Sequence, residues 1–78
     1  MKKKWQQYIH TDSKVLLGKP VIRGTRISVE LILDKLAGGE TVEQILESHP
    51  HLTKKQVAAC LAYAADTIRN ETTYRLAS

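Results

Sequence analysis

Few side chains in this 78-residue chain have the types and spacing that catalysis needs. His49 and His51 flank Pro50, which is a start on a metal site. A zinc-type site needs three or four ligands, and no cysteine or carboxylate cluster joins these two at ligand spacing. Cys60 is the only cysteine, and it falls on the inner half of a predicted helix, where a thiol acts as a small core residue. There is no glycine-rich phosphate loop and no nucleophile elbow. The expectation is a chain with no catalytic residues, no metal and no cofactor.

What remains is binding chemistry carried by cations. Thr53, Lys54 and Lys55 stand together where a helix is predicted to start. A hydroxyl, a helix N-terminus and two ammonium groups suit phosphate, and the lysines also suit a guanine edge. Lys14, Lys19, Arg23 and Arg26 surround a predicted turn. There they either meet a phosphate backbone as a wing does, or they are ordinary solvated loop charge. Trp5 and Tyr8 either stack on bases or anchor the N-terminus to the core.

The formal net charge of +4 is unevenly spread. Residues 1–27 hold seven Lys/Arg against Asp12, a net +6; residues 28–48 carry a net −4, and residues 49–78 a net +2. A basic N-terminal third suits an anionic partner. The run Lys2-Lys3-Lys4 is either part of that surface or a solubilising tail.

The elements that must position these residues follow from local signals. Gln7-Tyr8-Ile9-His10 alternates as an edge strand does, Lys14-Val15-Leu16-Leu17 is a second strand candidate, and Val21-Ile22-Arg23 is its return. Thr11-Asp12-Ser13 and Gly18-Lys19-Pro20 are turns between them. Ser28 caps a helix over Val29 to Ala37, which ends at Gly38-Gly39. Thr41 and Gln44 form a capping box for a helix over Val42 to Ser48, and Pro50 blocks its continuation. Thr53 and Gln56 form another box for a helix from Lys54 to about Asn70, whose apolar stripe is predicted as Val57, Leu61, Ala64 or Ala65, and Ile68. Residues 71–78 are a tail that extends this helix or frays.

A short helix, a turn of four residues and a longer helix is the skeleton of a helix-turn-helix unit. Leu52 is placed to plug the angle between the helices. The first turn of the second helix would enter the major groove with Thr53, Lys54 and Lys55. Its middle turns carry alanines, which read little beyond a thymine methyl. Small residues at Ala58 and Ala62, with Tyr63 beside them, allow either a dimer interface or packing on the chain's own extended segment.

Size sets one more expectation. A chain of this length buries only about 60% of the surface its unfolded form exposes. With no disulfide available, self-association or a partner protein is the expected source of extra stability. Lone-cysteine usage suits a reducing cytoplasm. No apolar stretch follows the N-terminal lysines as in a signal peptide, and none approaches the ~20 residues that span a bilayer.

The run Gly18-Lys19-Pro20-Val21-Ile22-Arg23-Gly24-Thr25-Arg26-Ile27 resembles the signature of a bacterial family, domain-of-unknown-function family 433. The likeness continues through Gly39-Glu40-Thr41, Ile45-Leu46 and His49-Pro50-His51-Leu52-Thr53, and ends in Val57 to Asp66. It covers roughly residues 7 to 68. The resemblance implies a mainly α, homeodomain-like three-helix helix-turn-helix fold, with residues 1–27 as a basic extended or hairpin segment ahead of the three-helix unit at 28–70. It also implies an antitoxin paired with a PIN-like nuclease toxin, with operator DNA as the second partner. It supplies no catalytic residues and no set of DNA contacts. Two functions are carried forward: a DNA-binding antitoxin that represses its own operon, expected as a dimer, and a module that binds a toxin without touching DNA.

Overall fold

The computed structural model describes the backbone of residues 4–77 and the side chains of residues 5–70. The side chains of Lys2 to Lys4 lie outside the described residues. The molecule is a small, mainly helical domain: three α-helices and a short two-stranded antiparallel sheet.

The chain begins in a 3-10 turn (Lys4–Gln7) and enters strand β1 (Ile9–His10). A loop with a second 3-10 turn (Leu16–Gly18) leads to strand β2 (Val21–Ile22). The strands pair with Ile9 opposite Ile22 and His10 opposite Val21. Alternation places Ile9 and Ile22 on the buried side, so even this two-residue ladder contributes to the core.

Helix α1 (Val29–Ala37) starts where the Ser28 hydroxyl accepts from the Leu31 N–H at 3.0 Å. It ends in a Schellman arrangement: the Glu40 N–H donates to the Lys35 carbonyl, and the Gly39 N–H to the Leu36 carbonyl. Gly39 adopts φ +100°, which an L side chain resists. Helix α2 (Val42–Ser48) opens on the reciprocal box of Thr41 and Gln44. Helix α3 (Lys54–Ala77) opens on the same device, with the Thr53 N–H donating to Gln56 Oε1 at 2.8 Å. Its backbone continues past Asn70 because no glycine or proline interrupts residues 54–77.

The core gathers Ile9, Ile22, Val29, Ile32, Ile45, Leu52, Val57, Ala59 and Cys60. Leu52 fills the corner between α2 and α3, as its place in the connection predicts. The N-terminal 3-10 turn packs along α3, fixed by Trp5. The Trp5 indole donates to Asp66 Oδ2 at 2.6 Å, and its ring meets Tyr63 edge-on with centroids 4.9 Å apart.

Two expectations are corrected. Lys14 to Leu17 is not a strand. Leu16 and Leu17 sit at φ +49° and +57°, ahead of Gly18 at φ +83°. The Gly18 N–H donates to the Val15 carbonyl and the Lys19 N–H to the Leu16 carbonyl, so the segment bonds to itself instead of to a neighbour. Leu17 is 96% exposed at the tip. The inward face of α3 is also different. Val57 and Cys60 are buried as expected and Ala59 joins them, whereas Leu61 and Ile68, expected in the stripe, are 48% and 61% exposed. The other elements crowd the side of α3 that carries the smaller residues.

Candidate nucleic-acid interface

The segment from Pro20 to Ser28 is a tightly bonded turn. The Ile22 N–H donates to the Ile27 carbonyl at 2.9 Å, and the Thr25 N–H donates back to the Ile22 carbonyl at 3.0 Å. The Thr25 hydroxyl donates to the same carbonyl at 2.7 Å and accepts from the Ile27 N–H at 3.0 Å. Gly24 supplies φ +82° in the middle, with open space around it. A bridge between Val21 and Ser28 closes the base. The result is a rigid mount for Arg23 and Arg26, both exposed.

The two arginines differ in what they do there. The Arg23 guanidinium donates to the carbonyls of Gln6 (3.1 Å) and Ile9 (3.4 Å), which ties the turn to the N-terminal segment. Arg26 has no ion pair or side-chain hydrogen bond among the described residues, so its charge is open to solvent. Lys19 is paired with Glu30 at 3.0 Å, with both groups more than half exposed. Such a pair contributes little stability, but it neutralises one of the expected wing cations. Lys14 is exposed beside an Asx turn in which its own N–H donates to Asp12 Oδ1 at 2.9 Å.

At the start of α3, Lys54 and Lys55 are exposed, and neither forms an ion pair among the described residues. Thr53 is committed to the capping box that its spacing to Gln56 predicts. Its N–H is taken by Gln56 Oε1, and its hydroxyl contacts both the Gln56 N–H and Gln56 Oε1. The N–H groups of Lys54 and Lys55 lack intrahelical acceptors, as at any helix start.

Tyr8 connects the two basic elements. Its carbonyl accepts from the Arg23 N–H at 2.7 Å. Its side chain lines an open cleft of about 510 Å³ together with Trp5, Gln7, Lys55, Ala58 and Ala62. Tyr8 therefore stands between the arginine turn, which its carbonyl bonds, and Lys55 at the start of α3, which lines the same cleft; Lys54 lies in a separate depression with Val42 and Glu43. Lys19 falls elsewhere, in a depression beside Pro20, Glu30, Asp34 and Tyr63.

The aromatic wall of this cleft is Trp5 and Tyr8, the pair expected either to stack on bases or to anchor the N-terminus. Trp5 and Tyr8 are three apart, a spacing that puts both on one side of a 3-10 turn. That spacing was the available signal. Trp5 acts as the anchor, one of the two roles expected of it. Of the expected interface residues, Ala58 and Ala62 are exposed at the cleft, whereas Tyr63 is half-buried and its ring is engaged by Trp5.

The remaining chemistry-capable groups are placed plainly. Cys60 is fully buried, and burial pushes its thiol from 9.0 up to about 11. His49 and His51 hold their rings 6.4 Å apart, edge to face. Among the described residues, no group of three or more His, Cys, Asp or Glu is gathered to hold a metal ion. None of the helices among those residues is long and apolar enough to cross a membrane.

The protein-family model described as protein of unknown function (DUF433) matches residues 9–64, more than half of the chain. The chain belongs to that family. It is 32% identical over 59 residues to the uncharacterized protein y4eO of Sinorhizobium fredii. That alignment takes in 76% of this chain but only 27% of the relative, so the chain spans about a quarter of that protein's length. A crystal structure of a DUF433 member from Anabaena variabilis superposes with a TM-score of 0.74 at 24% identity. It covers 96% of this chain and 73% of the other, and it shows a shared fold.

Proposed function

We propose that this DUF433 chain is a DNA-binding antitoxin, a cytoplasmic and non-catalytic protein that represses its own operon and neutralises a PIN-like nuclease. One observation carries the DNA half: Lys54 and Lys55 at the start of α3, and Arg26 on the bonded turn, are exposed cations with no ion pair among the described residues, and Tyr8 touches both the arginine turn and the cleft that Lys55 lines. In this proposal α2, the connection His49–Thr53 and α3 form a homeodomain-like helix-turn-helix. The first turn of α3 enters the major groove, and the arginine turn grips the flanking phosphates as a wing. Specific readout is narrow, because the exposed turns beyond Lys55 carry Ala58, Leu61 and Ala62. Affinity then comes mainly from phosphate contacts.

The test is a gel-shift assay with duplex DNA from immediately upstream of the gene. Wild-type protein should shift that fragment in preference to a scrambled one. The double variant Lys54→Glu, Lys55→Glu should lose at least tenfold in affinity. Equal binding by the variant would remove α3 from the interface.

A second function is favoured by a separate observation. The exposed acidic residues Asp34, Glu43 and Glu47 lie on α1 and α2, together with Glu30, which is paired with Lys19. This surface suits a basic protein partner, and a toxin would be held there with no DNA involved. Co-expression with the product of the adjacent gene separates the two functions. Growth rescue without promoter binding favours the second, and failure to form any complex or to rescue growth rules out neutralisation.

A further inference from the structure

We infer that α3 pairs antiparallel with the α3 of a second copy, through a seam of Ala58, Leu61, Ala65 and Ile68. These four residues are spaced three, four and three apart, the heptad spacing of a helix–helix seam. All four are exposed, including the large Leu61 (48%) and Ile68 (61%). The opposite side of the helix is occupied by the core and by the N-terminal segment, so this face is what α3 has left to offer.

The sizes along the seam identify the occupant. Residues 58 and 68 share a midpoint at 63, and so do 61 and 65. When the helix meets its own copy in antiparallel register, Ile68 lies opposite the partner's Ala58, and Leu61 lies opposite the partner's Ala65. Every large residue faces a small one in all four layers. A parallel pair instead sets Leu61 against Leu61 and alanine against alanine, which leaves voids. A two-fold interface needs a self-complementary patch, and this one is self-complementary in one register. Beside Ala58 lies a groove of about 280 Å³ between α2 and α3, with Val42, Val57 and Leu61 as its apolar lining and Glu43 and Lys54 as its charged lining, and its apolar part can receive the incoming Ile68.

The area sets the strength. With the midpoint at 63 and α3 starting at Lys54, residues 54–72 overlap, a stretch about 28 Å long and roughly 10 Å across. One face of it falls below the ~800 Å² per partner of a standard interface. Association is therefore expected to be weak, which is why the test below extends to 1 mM. The seam replaces the interface expected at Ala58, Ala62 and Tyr63: Tyr63 is occupied by Trp5, and Ala62 flanks the contact. The seam competes with the proposed DNA contact, because Lys54, Ala58 and Leu61 share one face of α3. The test below contains neither DNA nor toxin, so the seam stands or falls apart from that reading.

Sedimentation equilibrium from 10 µM to 1 mM should show a monomer–dimer equilibrium, and Leu61→Glu with Ile68→Glu should abolish it while circular dichroism stays unchanged. Register is read by disulfide trapping. In the antiparallel pair the two copies of residue 68 are about 15 Å apart along the axis, as are the two copies of residue 58. A disulfide needs Cα atoms within about 7 Å. Ala58→Cys alone and Ile68→Cys alone should therefore not cross-link, whereas their mixture should. A wild-type monomer at 1 mM overturns the pairing. Cross-linking by either single variant overturns the register.

Discussion

Removing the Thr25 hydroxyl should loosen the turn that presents Arg23 and Arg26. Thr25→Val keeps the shape and deletes two hydrogen bonds. The bonds are unequal. The Ile22 carbonyl loses the hydroxyl donor but keeps the Thr25 N–H at 3.0 Å, so little is lost there. The Ile27 N–H loses the Thr25 oxygen at 3.0 Å, in a half-buried position. A net hydrogen bond is worth about 1 kcal/mol, and an orphaned buried donor costs about 1–3 kcal/mol. The expected loss is about 2 kcal/mol. A domain this small has a urea m-value near 1 kcal/mol/M, so the midpoint should fall by about 2 M. Thr25→Ser restores the oxygen and should return to within about 0.5 M. The readout is urea unfolding followed by circular dichroism at 222 nm. A Thr25→Val midpoint within 0.5 M of wild type would refute the role given to this hydroxyl.

Four further outcomes are expected. Burial holds the Cys60 thiol protonated up to about pH 11, so native protein at pH 8 should resist a thiol reagent that labels it at once in 6 M urea, and fast native labelling would contradict its burial. Because that folded pKa lies above the unfolded value, the contribution is full below about pH 9 and is lost as pH rises toward 11, so stability measured across this window should decline, and Cys60→Ala should flatten the decline. Trp5→Phe keeps an aromatic ring beside Tyr63 but deletes the bond to Asp66. It should cost about 1 kcal/mol and lower the melting temperature by about 4–8 °C; an unchanged melting temperature would mean that the indole bond does not anchor the segment. Gly24→Ala puts a side chain at φ +82° in otherwise open space, and should cost about 1 kcal/mol through backbone strain alone, with no loss in the midpoint counting against a strained turn.

The helices were legible because their boundaries are chemical. Ser28, Thr41 with Gln44, and Thr53 with Gln56 each satisfy donors that a helix start leaves open, and Gly38-Gly39 and Pro50 stop what precedes them. Those signals act within four residues, so they survive any tertiary context. The face of α3 was only partly legible for the opposite reason. Val57 and Cys60 point in as expected, but its largest apolar residues, Leu61 and Ile68, point away from the core, and Ala59 points in. A size-weighted pattern therefore tilts toward the wrong side, and only the position of the neighbouring elements corrects it. Lys14 to Leu17 misled similarly: an apolar run of that length reads as a strand, yet it has no partner and coils through left-handed geometry. The cation cluster was half legible. Charge counts located it in the N-terminal third, but they could not separate Arg26, which is open to solvent, from Lys19, which is paired, or from Arg23, which holds the chain's own carbonyls.

That separation is what the salt dependence of DNA binding measures. Each phosphate contact contributes about 0.9 to the slope of log affinity against log salt. Arg26→Ala, Lys54→Ala and Lys55→Ala together should reduce the slope for upstream duplex DNA by about 2.7, measured by fluorescence anisotropy between 50 and 300 mM salt. Lys19→Ala, which removes a cation already paired with Glu30, should leave it within about 0.3. An unchanged slope in the triple variant, or an equal fall in Lys19→Ala, would contradict the assignment of this surface to DNA.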